Sequence, residues 1–217
     1  MKTDTQLQRD VLAELNWEPS VNAAQIGVEV ADGIVTLAGH VNSYAEKGHA
    51  EKAAQRVAGV MALTVELEVK LPGPSERTDV DIARAAENVL VWMTYVPKDA
   101  VKVMVESGWL TLSGNVDWQY QRQGCIEAVR YLMGVRGVTN LIEIKPKLSM
   151  SMVKGDIEAA LHRRAKSDAK SITVAIDGTD VTLSGHVHSW SDRELAKHSA
   201  WSTPGVRNVV DNLTIMV

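Results

Sequence analysis

One segment recurs three times, and that recurrence limits what this chain can fold into more than any other feature. Residues 26–41 read IGVEVADGIVTLAGHV, residues 101–116 read VKVMVESGWLTLSGNV, and residues 172–187 read ITVAIDGTDVTLSGHV, at offsets of 75 and then 71. In each copy the glycine near the end of the segment (Gly39, Gly114, Gly185) is followed 20 residues later by a Gly-Val pair beginning at Gly59, Gly134 or Gly205. Two landmarks at one spacing in three copies define a repeated structural unit, to be recognised before any element is read singly.

Upstream of each segment, apolar residues step by four: Leu7, Val11, Leu15; Ile82, Ala86, Leu90; Val153, Ile157, Leu161. That is one face of an amphipathic helix. Thr3 with Gln6 and Thr78 with Asp81 have capping-box spacing or a close variant of it. Within the recurring segment, apolar and polar residues alternate up to a turn containing Gly33, Gly108 or Gly178 and then resume alternating. Period-two alternation across a glycine turn predicts a β-hairpin. Ser43 with Glu46, Asp117, and Ser189 with Asp192 are N-caps expected to start a second helix of about four turns. Each Gly-Val pair leads into a last alternating strand, such as Leu63, Val65, Leu67, Val69. The expected fold is α+β in two layers, as three tandem α-β-β-α-β units, each with a three-stranded mixed sheet covered on one face by two helices.

Proline and glycine punctuate the pattern at Leu71–Ser75 and Lys145–Leu148, which places the units at residues 1–72, 76–146 and 149–217. A length of 217 residues would otherwise suggest one or two domains, at about 150 residues each. Units near 70 residues have little stability to spare, so contacts between neighbours are expected to help.

The helix spacing, the d-G-x-V-T-L-s-G-x-V string, the alanine-rich second helix and the Gly-Val before the last strand together resemble the BON domain (bacterial OsmY and nodulation), in three consecutive copies. The resemblance implies a small, non-enzymatic α/β module that attaches to phospholipid membranes or envelope components and is linked to osmotic or envelope stress. Members of that family often carry a signal peptide or lipoprotein anchor. Met1-Lys2-Thr3-Asp4 runs straight into a polar helix pattern, so the sequence as written is expected to be cytoplasmic, or periplasmic where a leader has been removed. No apolar run approaches the roughly 18 residues of a membrane span.

Candidate chemistry is sparse. Cys125 stands where the other copies have Ala50 and Ala196, which makes it a small apolar filler rather than a nucleophile. His40, His186 and His188 follow the repeat glycines; two imidazoles supply at most half of a tetrahedral zinc site, and no Ser or Cys partner accompanies them. No catalytic residue, metal ligand set or cofactor is therefore expected. The tryptophans say more. Trp17 and Trp92 are equivalent, just past helix one, and the third copy has Arg163 there, followed by Arg164, Lys166 and Lys170. A position that takes Trp or Arg is not fully buried. It is either an edge that meets a partner or membrane surface, or a place where each Trp lies over the end of its own sheet while Arg163 extends to water. Tyr44, Trp118 and Trp190 open the second helices and are expected to pack on the hairpins. Trp109, at a hairpin turn, is the tryptophan whose position most favours exposure.

Charge narrows the partners. The chain has 23 basic and 27 acidic residues, a net charge of −4, which argues against bulk binding to nucleic acid. Residues 1–74 carry 6 basic and 10 acidic groups, while residues 75–148 have 9 of each and residues 149–217 have 8 of each. An anionic phospholipid surface should therefore meet the second or third unit. The run from Arg163 to Lys170 would supply at most about 4 kcal/mol, at about 1 kcal/mol per basic residue. That is millimolar-range binding, so several units must act together. An envelope protein is the other partner that the pattern fits.

Overall fold

The computed structural model describes residues 2–145, 157, 159, 171–203 and 205–216. Each repeat opens with a helix, and in the first two the capping residues act as their spacing predicts. In α1 (Asp4–Trp17) the Thr3 hydroxyl accepts from the Gln6 amide while the Gln6 side chain accepts from the Thr3 amide, at 3.3 and 3.0 Å. The next repeat opens with α3 (Asp79–Val91), where Thr78 accepts from the Asp81 amide at 3.2 Å and donates to its carboxylate at 2.7 Å. Helix one of the third repeat is described only at Ile157 and Ala159, both helical; Val153 and Leu161 lie outside the described residues.

Strands β1 (Ile26–Ala31), β2 (Ile34–Val41) and β3 (Ala62–Val69) form a sheet in that order. β1 pairs antiparallel with β2, and β2 pairs parallel with β3. A parallel neighbour needs a crossover, and α2 (Tyr44–Arg56) supplies it. The second repeat repeats this order with β4 (Val101–Glu106), β5 (Trp109–Val116), α4 (Gln119–Arg130) and β6 (Gly137–Ile144). The third has β7 (Ile172–Asp177), β8 (Asp180–Val187), α5 (Trp190–Trp201) and β9 (Asn208–Ile215). One core joins Leu7, Val11 and Leu15 of α1 to Val35 and Leu37 of the central strand and to Ala50, Ala53 and Ala54 of α2. The third repeat's core uses Ile157, Val181, Leu183, Ala196 and Ala200 in the same way. The alanines let the second helix sit close to the sheet.

Ser43 and Ser189 cap α2 and α5 as expected, accepting from the Glu46 and Asp192 amides at 3.0 and 3.1 Å. In the second repeat α4 starts at Gln119, so Trp118 holds the position before the helix and Asp117 stands one residue outside it. The repeat glycines concentrate at backbone positions with φ between +59° and +133°. By density of internal contacts the chain forms two compact units, residues 1–114 with 123–142, and residues 115–122 with 143–217. Within the first, Arg130 of α4 stacks over the Tyr44 ring of α2 at 5.6 Å and packs against Gly48. The expected contact between neighbouring repeats thus joins the first two through their second helices. Among the described residues, no helix is long and apolar enough to cross a membrane.

Candidate binding surfaces

The end of helix one turns outward for a geometrical reason. Its core face ends at Leu15 or Leu90, and a residue two positions on lies about 200° further round the helix. Trp17 and Trp92 occupy that position and are 83% and 85% exposed. Rings this exposed cover little of their own sheets. Beside Trp17 the surface is ionic: Arg56 of α2 donates to Glu14 at 3.0 Å and to Glu18 at 2.9 Å. Those bonds hold the Glu18 carboxyl down at about 2. At the equivalents of Glu14, Glu18 and Arg56 the second repeat has Val89, Met93 and Tyr131, so the surface near Trp92 is apolar. Val91 is 71% exposed there. Arg163, Arg164, Lys166 and Lys170 lie outside the described residues.

Trp109 is exposed at its turn, though less than Trp17 and Trp92. It is 51% exposed, because its ring lies over Gly137, which has no Cβ, and its indole N–H donates to Thr139 Oγ1 at 2.7 Å. Tyr44 sits beneath Arg130, Trp190 beneath Arg193 at 5.3 Å, and Trp118 beside Tyr120 at 6.4 Å.

Among the described residues the middle repeat is the most apolar on its outside. Of the sixteen large apolar side chains exposed among the described residues, eleven belong to residues 76–146. Met104 (60%), Trp109 and Leu141 (58%) share the helix-free face of its sheet. The corresponding residues are Glu29, Ile34 and Glu66 in the first repeat, and Ala175, Asp180 and Asn212 in the third. Strand alternation already placed Met104 and Leu141 outward, so their signal was present in the sequence.

Two side-chain braces have no counterpart in the sequence reading. Asp4 accepts from the amides of Asp32 and Gly33 at 3.0 and 3.1 Å, and Asp79 from those of Ser107 and Gly108, both at 2.8 Å. One carboxylate at each helix start thereby holds the hairpin turn 28 residues away. Glu46, 8% exposed, accepts from the amides of Asn22 and Asn42, both at 2.7 Å, tying the entry of the sheet to its exit. Its equivalent Gln121 accepts from the Asp117 and Trp118 amides, both at 2.9 Å.

Cys125 is buried, and burial pushes its thiol up to about 11, so at neutral pH it holds its proton and is no nucleophile. His186 Nδ1 meets Thr214 Oγ1 at 2.6 Å. Among the described residues no three His, Cys, Asp or Glu side chains lie close enough to hold a metal ion.

Comparison with known proteins gives the repeats a family context. The sequence model of the BON domain matches residues 3–70, 78–146 and 151–216. Osmotically-inducible protein Y of Escherichia coli (strain K12) is 30% identical over 146 residues, covering 65% of this chain and 73% of that protein. A solved structure of CdsD, a structural protein of the type III secretion system of Chlamydia trachomatis, aligns over 96% of this chain and 91% of its own at 12% identity, with a TM-score of 0.25. The C-terminal domain of CdsD aligns over the full length of both chains at 12% identity and a TM-score of 0.26. Scores that low give these two likenesses no weight for fold or function.

Proposed function

Since this chain belongs to the BON domain family, we propose that it is a non-catalytic binding protein of osmotic stress that docks on phospholipid surfaces or envelope components through the helix-one ends of its repeats. The observation that supports this most is Trp92, 85% exposed on an apolar stretch of the second repeat, with Trp17 83% exposed at the equivalent place of the more acidic first repeat. Burying such a ring is worth several kcal/mol in principle, and indole rings favour the boundary between headgroups and acyl chains. Arg163 at the same position of the third repeat suits an anionic headgroup. Single sites of this kind bind weakly, and three in tandem raise the effective concentration of the second and third contacts. The reading requires an anionic leaflet and is indifferent to which side of the membrane presents it. Co-sedimentation with phosphatidylglycerol-containing and phosphatidylcholine vesicles tests it. Binding to the anionic vesicles should be lost in the Trp17→Ala/Trp92→Ala double variant; folded wild-type chain that binds neither vesicle refutes it.

The alternative reading is a protein–protein scaffold or oligomeric stress-response protein. It is favoured by the apolar open face of the middle repeat, since monomers seldom leave such a patch uncovered. Light scattering and pull-down from osmotically stressed cells test that reading, and a strictly monomeric chain that captures nothing counts against it.

A further inference from the structure

The outer edge of the first sheet is guarded and that of the second is not. In the first repeat Gln8 of α1 donates its amide to the Val28 carbonyl of edge strand β1 at 2.7 Å. Residue 28 therefore turns its backbone polar groups away from β2, toward the open edge. The pairing of β4 with β5 follows the same register shifted by 75, so Val103 stands where Val28 does and Val101 and Val105 share its direction. The guard is missing there, because Ala83 takes the place of Gln8. A groove of about 600 Å³ opens instead beside the first half of the strand, between α3 at Ala83 and Glu87, residues 96–99 of the loop that follows α3, and Val101 to Val103. A further strand would lie about 4.8 Å from β4, with one end at this groove.

The exposed side chains of β4 indicate which strand fits. Lys102, Met104 and Glu106 all point to the open face of the sheet. A lone lysine on an edge deters pairing, but here a carboxylate stands at the same distance on the other side of Met104. An antiparallel copy of β4 with Met104 opposite Met104 sets each Lys102 against the other chain's Glu106. The same register sets Val103 against Val105, and these are the residues whose outward N–H and C=O groups can bond across. In the edge strands of the other repeats these positions hold Gly27, Glu29 and Ala31, or Thr173, Ala175 and Asp177, and neither order complements itself.

We propose that β4 of the middle repeat is a self-pairing edge, on which a second copy of this chain joins antiparallel about a two-fold axis at Met104 to make one six-stranded sheet from two three-stranded ones. The axis brings the two Met104 side chains together and places the Trp109 and Leu141 surfaces of both copies on one continuous face. This goes beyond the membrane reading and does not depend on it.

Sedimentation of the full chain over a concentration series up to about 1 mM, the weak end of specific association, tests the proposal. The wild type should show a monomer–dimer equilibrium. Lys102→Glu and Glu106→Lys should each weaken it at least about tenfold, since two opposite-charge cross-strand pairs become two like-charge pairs. Mixing the two variants, or combining both changes in one chain, should restore dimers. Val103→Pro should abolish them, because it removes an outward N–H while leaving the bonds to β5. Lys102 is exposed, so its reversal carries the test even if the proline variant fails to fold. A chain that stays monomeric throughout overturns the proposal, as does a dimer indifferent to the charge reversals or not restored by mixing.

Discussion

Replacing Gly114 by alanine is expected to destabilise the middle repeat strongly, whereas the same change at Gly27 is expected to be nearly silent. Gly114 has φ +133°, and a Cβ there would collide with the Ala100 carbonyl oxygen, a backbone atom that cannot swing aside. Gly39 and Gly185 meet the carbonyl oxygens of Gln25 and Ser171 in the same way, which is the physical reason for a glycine at this place in all three copies. The backbone conformation alone costs alanine about 1–3 kcal/mol. Relieving the collision costs about 1–3 kcal/mol more, as for an overpacked core. A unit of about 70 residues has a stability of roughly 4–10 kcal/mol, so about 4 kcal/mol removes a large part of it. At about 4 °C per kcal/mol, a cost of about 4 kcal/mol lowers the melting temperature of this repeat by about 15 °C. At Gly27 the added Cβ would lie 3.6 Å from the Ala38 carbonyl oxygen, an ordinary contact, and the change should cost nothing or stabilise by up to about 1 kcal/mol. Gly178, with φ +59° and open space around it, separates the two effects and should cost about 1–2 kcal/mol. Hydrogen exchange read by mass spectrometry over residues 101–144, with thermal unfolding followed by fluorescence, resolves the affected repeat from the rest. A Gly114→Ala chain melting within about 3 °C of wild type, against the expected drop, would show that the close approach is not what selects glycine.

Cys125 should react slowly with a thiol reagent at neutral pH and rapidly only in denaturant; equal rates in both would contradict its burial. Its thiol rises from 9.0 to about 11 on folding, so between those values the unfolded chain loses a proton that the folded chain keeps. Stability must then fall as pH rises through that window, and Cys125→Ala should flatten the slope while costing about 1 kcal/mol for the lost sulfur contacts. Asp79→Ala should cost about 1.5 kcal/mol, the low end for charged hydrogen bonds because the site is exposed, and should speed amide exchange at Ser107 and Gly108. Unchanged exchange there would mean that the hairpin turn does not need its carboxylate. Glu18 is held at about 2 instead of 4.5, so its bonds to Arg56 stabilise the fold above the unfolded value and are lost as pH falls from 4.5 toward 2. Arg56→Gln should therefore make unfolding less sensitive to acid across that range, as measured by urea titration at several pH values.

The sequence made the repeated unit legible because everything that defines it is local or periodic. Four-residue steps, alternation and cap spacing each act within about ten residues, and a glycine in a forced conformation marks itself in every copy. What joins those pieces was not legible, because it spans long separations with no fixed spacing of residue types. Asp4 and Asp79 reach a turn 28 residues on, and Glu46 ties together the segments that enter and leave a hairpin. Trp109 shows the same limit: its position at a turn suggested exposure and the ring is half exposed, but nothing in the spacing showed that a glycine on the neighbouring strand gives its other half a place to lie. The surfaces fall between these cases. Each strand's alternation tells which residues face away from the core, yet only laying the helix over the sheet shows that Gln8 closes one edge and that Ala83 leaves its equivalent open. Selection on the shared fold holds the buried positions and turn glycines in common, and it leaves the outward positions free to differ. The first repeat spends that freedom on carboxylates, and the middle repeat fills it with Met104, Trp109 and Leu141. Three units of one architecture can in this way present different faces, and among the described residues the middle one is where contact with another molecule would bury the most apolar surface.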